Sequence, residues 1–491
     1  MSTNPFNNRY HDLGPGFYQS IKPTPVQSPE LIIYNQELAT ALGLDETVLN
    51  SSANTAVFSG NQLPNGGEPL AMAYSGHQFG HFNPNLGDGR AILLGQIHDP
   101  QGRLLDIHLK GTGQTAFSRN GDGRAALGPV LREYLVSEAM AKLGIPTTRA
   151  LAAVTTGEEV ARDQLLPGGI ITRVASSFVR IGTFEHFLAR NDMDSIKRLA
   201  DYVIEHHYPQ TKQAENPYLD LLDVVVEGQA SLIAQWMQLG FIHGVMNTDN
   251  MSITCETIDY GPCAFMDHYA HNRVYSSIDH HGRYAYNNQP NIGLWNLSRF
   301  AECLLHLIDD NQDSAVEVAQ HRLEAYISIY QKHWLSGMRN KLGLSTEQSE
   351  DKQLAEDLLD LMARDQVDFT LTFYYLSLLD KDASNDDSLL ALFDDAASIT
   401  AWLDQWRQRL NKEASQDVER QHRMHAINPV YIPRNHLIES AIRAAEDQGD
   451  YSVFHTLHEV LQNPFELQPG KEIYMQPPQP DEVVHQTFCG T

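Results

Sequence analysis

The chain has no long hydrophobic run. Its apolar stretches, such as residues 91–94, fall far short of the roughly 20 residues that cross a bilayer. Cysteine is scarce: four (Cys255, Cys263, Cys303, Cys489) in 491 residues, which is neither a disulfide framework nor metal-finger spacing. Basic residues are outnumbered 35 to 62, for a formal charge of −27. That balance argues against nucleic acid or an anionic membrane as partner, since both reward basic surfaces. It does not exclude a nucleotide, which needs only a few local cations and a metal. The opening residues MSTNPFNNRYHDLG lack the basic and apolar regions of a secretory signal, so a cytoplasmic setting is expected. Repeats of solenoid length are absent. The histidine pairs His206–His207 and His280–His281 are adjacent, so their rings point apart rather than toward one metal.

What remains is an ordinary globular composition, 42% hydrophobic and 20% charged, with length enough for two or three domains' worth of core. Residues 1–70 are rich in Pro, Asn, Ser and Gly, with one helix expected at 29–44. Residues 91–97 read as a strand, 99–102 as a turn and 104–110 as a second, alternating strand of a hairpin. A glycine-rich loop covers 111–128. Pro129 opens an expected helix with Leu131, Leu135, Ala139 and Leu143 at helical spacing and Gly144 as its stop. From about residue 192 the chain reads as mostly helical: 194–207, 218–239, 294–308, 313–342, 352–364, 370–378, and segments starting near 397 and 436. The proline-rich residues 463–491 read as an extended tail, and the apolar helices of the last third are expected to pack on the helical half.

The expected fold is therefore α+β. The parts are an N-terminal extension (1–70), a sheet-bearing segment with nucleotide-binding loops (71–190), a helical segment (191–462) and a tail (463–491).

Chemistry concentrates in GFIHGVMNTDNMSITCETIDYG, residues 240–261. The run resembles a protein-kinase catalytic loop and metal loop, His-Arg-Asp, four residues, Asn, then Asp-Phe-Gly. His243 is kept, Gly244 takes the Arg position, and Val245 takes that of the catalytic Asp. Asn250 and Asp259-Tyr260-Gly261 stand where the metal-binding residues belong. A valine cannot accept a proton, and Asp249 is the nearest carboxylate to replace it. Asn250 and Asp259 offer the hard oxygens that Mg2+ or Mn2+ prefers. The order of the chain is hairpin with Lys110, helix with Glu133 and Glu138, then the helical half with Asn250 and Asp259. That is the order of a kinase-like two-lobed fold, in which the strand Lys binds phosphates and pairs with a helix Glu.

The usual Gly-x-Gly-x-x-Gly is missing. Gly87-Asp-Gly89-Arg90 offers backbone N–H groups and a cation instead, echoed at residues 121–124, where two similar tight turns are the plainer reading. Arg173 and Arg180 are the only cations in the apolar run 171–187, which reads as a strand. Each requires a carboxylate, such as Glu185, or a phosphate.

The strings at 74–91, 109–140, 172–185, 243–253, 259–262, 280–290 and 428–436 resemble the selenoprotein O family over nearly the whole chain. The resemblance implies a pseudokinase fold that holds ATP in an inverted orientation. It implies transfer of AMP, in some members UMP, to hydroxyl side chains of other proteins. By the same resemblance Asp249 is the proton acceptor and Asn250 and Asp259 are the metal ligands. Lys110, Arg173 and Arg180 hold the outer phosphates, and Glu133 positions Lys110. Gly87, Gly89, Arg90, Asp122 and Gly123 are further nucleotide contacts. Some members carry selenocysteine near the C-terminus, where this chain has Cys489. Two rivals stay open: a catalytically inactive nucleotide-binding scaffold, and a kinase moving the γ-phosphate, against which Val245 counts.

Overall fold

The computed structural model describes residues 6–44, 52–414 and 416–488, with the side chains of 52 and 53 excepted. Its first half is built on an eight-stranded antiparallel sheet. In spatial order the strands are Tyr18–Ser20, Leu70–Met72, Ala91–His98, Leu104–Lys110, Leu165–Ala175, Arg149–Ala161 and Leu31–Tyr34, with Ala125–Ala126 pairing off Leu165–Ala175. From Met193 onward the regular structure is mainly helical, including Pro217–Leu239, Gln289–Ile308 and the 30-residue Gln312–Lys341. The α+β class thus holds.

The strand Leu104–Lys110 shows how the sequence pattern works here. Leu105, Ile107 and Leu109 face a small apolar cluster with Leu38, Phe58, Leu94, Ile170 and Val174. The intervening Asp106 and His108 are buried too, on the opposite face. The alternation therefore marks two buried faces, one oily and one polar, rather than core and solvent. Asp106 is satisfied by Phe178 N–H at 2.8 Å and Gln96 Nε2 at 2.6 Å. Burial pushes its carboxyl up to about 6.

The expected helix at 29–44 is a correction. Leu31–Tyr34 forms an edge strand and only Gln36–Ala41 is helical. The run Leu-Ile-Ile-Tyr suits a strand, and Asn35 starts the helix late by accepting from Leu38 N–H at 2.9 Å. A second correction concerns the last third. Helices Asn435–Gln448 and Ser452–Leu461 pack on helix Leu127–Lys142 beside the sheet, rather than only on the helical half. Glu446 accepts from Gly128 N–H at 2.8 Å, Arg132 donates to Asn435 Oδ1 at 3.0 Å, and Tyr134 meets Phe454 edge-on. The long hairpin Arg149–Ala161/Leu165–Ala175 supplies the two longest strands, and only its second strand carries a sequence signal of its own.

Among the described residues no helix is long and apolar enough to cross a membrane. Cys255, Cys263 and Cys303 are free and buried, and Cys489 lies outside the described residues.

Candidate active site

Strand register assembles the first part of the site. Arg173 lies opposite His108, and Lys110 lies opposite both Ala91 and Ile171. Helix Leu127–Lys142 then carries Glu133 beneath them. Lys110 Nζ meets Glu133 Oε2 at 2.7 Å, and Arg173 meets Glu133 Oε1 at 3.1 Å. Glu138, the other sequence candidate, is held instead by Arg149 at 2.8 Å and by Ala150 N–H. His108 links two charges: its Nε2–H donates to Asp88 at 3.0 Å while its Nδ1 accepts from Arg173 at 2.9 Å. Burial and the neighbouring arginines keep it neutral, with its pKa lowered despite Asp88.

The metal-loop aspartate closes the cluster. Asp259 sits at φ +60, a left-handed conformation uncommon for a residue with a side chain. The preceding residue is pinned because His243 Nε2–H donates to the Ile258 carbonyl at 2.9 Å. Asp259 Oδ1 takes Arg173 at 2.6 Å and Lys110 at 3.5 Å, and Oδ2 takes Arg180 at 2.9 Å. Burial opposes its ionisation, but Arg180, Arg173 and Lys110 outweigh it and hold the carboxyl well below the usual range. Arg180 does not lie in a strand, as the apolar run suggested. It immediately precedes helix Ile181–Leu188 and also donates to the Asp249 carbonyl at 2.7 Å. Glu185 is not its partner: it meets His77 at 2.5 Å and accepts from Thr248.

Asp249 occupies the short 3-10 turn Thr248–Asn250. It is 6% exposed, and its Oδ1 has no hydrogen-bond partner. Burial pushes its carboxyl up to about 7, against the pull of Arg180. Asn250 donates its side-chain N–H to the Val245 carbonyl at 2.9 Å, which leaves its amide oxygen for other use.

The two glycine loops form the opposite wall. Gly87 has φ +122, and a Cβ there would come within 2.4 Å of the Phe117 ring. At Gly123, φ +67, a Cβ would meet the Gly113 backbone at 2.1 Å. The echoed Gly-Asp-Gly-Arg turns face one cleft, and the loop leading into the second is tied to the first: Thr115 donates to the Asp88 carbonyl at 2.7 Å and Ser118 to that of Gly89. Their aspartates differ in use. Asp88 is buried against His108, whereas Asp122 is paired with Arg162 at 2.9 Å.

The cleft encloses about 690 Å³. Asp249, Asn250, Asp259, Lys110, Arg173, Arg180, Gly87, Gly89, Arg90, Asp122 and Gly123 all line it; Glu133 reaches it through Lys110, and Glu138 does not reach it. Sequence reasoning missed Tyr74, whose ring lies 4.5 Å from the Arg180 guanidinium, and Gln78, Asn247 and Arg162. Tyr74 and Gln78 lie inside a matching string, but no local pattern marks them, because folding alone brings them to Asp249 and Arg180.

Among the described residues no three His, Cys, Asp or Glu side chains are grouped to hold a metal unaided. The donors fit a divalent ion that arrives with a polyanion. Asp259 is firmly anionic, Asn250 has an uncommitted amide oxygen, and phosphate oxygens would complete the shell.

The fold and cleft define an α+β protein in which three cations gather on one carboxylate between glycine walls, with a second carboxylate alongside. Comparison with known proteins agrees with that class. The model of the family described as "Protein adenylyltransferase SelO" matches residues 1–462. Proteins named protein nucleotidyltransferase YdiU are similar over almost their whole length. That of Rhizobium meliloti (strain 1021) is 56% identical over 486 residues, 99% of each chain. That of Rhodopseudomonas palustris (strain BisB5) is 55% identical over 487 residues, again 99% of each. That of Bradyrhizobium sp. (strain BTAi1) is 54% identical over 488 residues, 99% of each. The chain belongs to the protein adenylyltransferase SelO family.

Proposed function

We propose that this protein is a nucleotidyltransferase that moves AMP from ATP, or UMP from UTP, to Ser, Thr or Tyr hydroxyls of other proteins. The observation that carries the reading is the pairing, in one cleft, of a three-cation cluster on Asp259 with a second carboxylate, Asp249. Lys110, Arg173 and Arg180 would bind the outer phosphates and stabilise charge growing on the leaving group. Glu133 holds Lys110 and Arg173 in place for this. Gly87, Gly89, Arg90, Asp122 and Gly123 would contact the rest of the nucleotide. The acceptor hydroxyl oxygen attacks the α-phosphorus and its proton passes to Asp249. The bond from the α-phosphorus to the bridging oxygen breaks, and pyrophosphate leaves.

Asn250 and Asp259 would hold Mg2+ or Mn2+, which supplies further neutralisation of phosphate charge. The chain divides, on this reading, into a kinase-like nucleotide lobe (71–190) and a helical lobe (191–462), with the nucleotide inverted so that its α-phosphate faces the acceptor. Val245 in the cleft speaks against γ-phosphate transfer, because it leaves the usual base position without a proton acceptor. A cytoplasmic setting suits three free thiols.

The test is labelled ATP with the protein, a protein substrate and metal. Label reaching protein from α-labelled but not γ-labelled ATP is expected. Label from γ-labelled ATP alone would make the protein a kinase. Binding without any transfer would make it a scaffold.

A further inference from the structure

The hairpin Gly76–Gln78/His81–Asn83 lies against the Asp249 loop, and three consecutive residues of one bond three consecutive residues of the other. His77 N–H donates to Thr248 Oγ1 at 2.7 Å. Gln78 Nε2–H donates to Asp249 Oδ2 at 3.2 Å. Phe79 N–H donates to Asn247 Oδ1 at 3.1 Å. The turn suits this work: Phe79 and Gly80 have φ +52 and +84, the left-handed pair that a tight two-residue hairpin requires. The first strand is also anchored by its approach, since Ser75 N–H donates to the Gly182 carbonyl at 3.0 Å.

The consequence falls on the Asp249 carboxylate. Gln78 is the one side chain, among the described residues, that donates to it, and it takes Oδ2 alone. Oδ1 is left buried and without a partner. What stands over Oδ1 is Gly76, where an added Cβ would come to 2.8 Å of that oxygen and 3.0 Å of the Asp249 Cβ. Any side chain at position 76 would crowd the free oxygen. Gln78 and Asp249 both line the cleft. With Oδ1 packed against Gly76 and Oδ2 tethered by Gln78, the carboxylate is held in a single orientation.

We propose that Gln78 is a positioning residue for nucleotidyl transfer: its hydrogen bond to Oδ2 fixes the Asp249 carboxylate at the cleft, while Oδ1 is turned against Gly76, where only a residue without a Cβ leaves it room. The inference rests on Asp249 being the proton acceptor. Gln78 acts through Asp249 and takes no proton itself. Its loss costs orientation, which is worth up to about 100-fold in rate for a displacement near 1 Å.

The test compares wild type with Gln78→Met, which keeps length and packing but has no donor, and with Gln78→Asn, which keeps the amide but shortens its reach. Each is assayed for α-label transfer to a protein substrate, with kcat and KM for ATP separated and melting temperature recorded. The expected result is kcat lower by about 10- to 100-fold in Gln78→Met, ATP KM within about two-fold of wild type, and an unchanged melting temperature. Gln78→Asn should recover part of kcat. In an Asp249→Asn background, Gln78→Met should lower the residual rate no further. Wild-type kcat in Gln78→Met would overturn the inference. So would a loss confined to KM, or an equal further loss in the Asp249→Asn background. If Gln78→Met melts early, Gln78→Asn, alone and in the Asp249→Asn background, decides instead. If wild type transfers no α-label, the failure belongs to the functional reading. If wild type transfers label and Asp249→Asn does so at the wild-type rate, Asp249 is not the acceptor.

Discussion

Replacing Asp249 by asparagine should make the metal-free protein more stable while abolishing transfer. The magnitude follows from where the carboxylate sits. Burial raises it from 3.8 to about 7, with Arg180 offsetting only part of the cost. The unfolded chain binds its proton less tightly than the folded one, so the ionised group costs stability in the fold. Below pH 4 the group is protonated in both states and the cost vanishes. It grows between about pH 4 and 7 and is constant above. At about 1.36 kcal/mol per pKa unit the cost is about 4 kcal/mol at pH 8 and about 2 kcal/mol at pH 5.

The neutral amide of the variant would keep the shape of the carboxylate, and its oxygen could still accept from Gln78. Asp249→Asn should therefore gain most of that difference. The assay is urea unfolding of both proteins in chelator at pH 5 and pH 8. A variant equal to or less stable than wild type at pH 8 would refute the argument. So would a gain that does not shrink toward pH 5. The same variant should lose at least about 100-fold in α-label transfer, since general-base contributions run from about 10² to 10⁴.

Other predictions address separate parts of the molecule. Asp259→Ala leaves Lys110, Arg173 and Arg180 without their shared carboxylate; it should abolish transfer and cost about 3 kcal/mol or more in urea unfolding, and full activity would sink the metal assignment. Gly87→Ala forces a Cβ into Phe117 at a backbone φ of +122 and should weaken ATP binding at least about ten-fold by calorimetry, with the fold retained. Lys341 is 2% exposed, has the Phe369 and Phe373 rings as its neighbours, and is pushed down to about 7 by burial. Its cost is full below pH 7 and disappears as pH rises toward 10.5, so Lys341→Met should stabilise by about 2–4 kcal/mol at pH 6 and progressively less toward pH 10.

Much of the architecture was legible along the chain because its signals are local. Strand Leu104–Lys110 has the bounds that alternation suggested, and nine helices fall within a few residues of their periodicity, up to five at Gln289–Ile308. The failure at 29–44 has a non-local cause: Leu31–Tyr34 is extended because a strand distant in sequence, Arg149–Ala161, is available to pair with it. No window around residue 31 contains that information.

The site divides along the same line. The spacing of His243, Asn250 and Asp259, and a lysine ending a strand, are short-range patterns that pick out the chemistry. The choice of Glu133 over Glu138 depended on which helix face meets the sheet. The convergence of Arg173 and Arg180 on Asp259 rather than Glu185 depended on register and on the entry to helix Ile181–Leu188.

By itself the sequence determined which side chains could bind phosphate and metal, since residue type and spacing set those capacities. Only the tertiary structure decided which charges meet and which stay alone. Asp259 became a firm anion and Asp249 a strained one within a single cleft, because three cations reach the first and burial outweighs Arg180 at the second. Electrostatic environment is a property of packing across the chain, and Gln78, Tyr74 and Gly76 acquire their places at the site only when distant segments close around it.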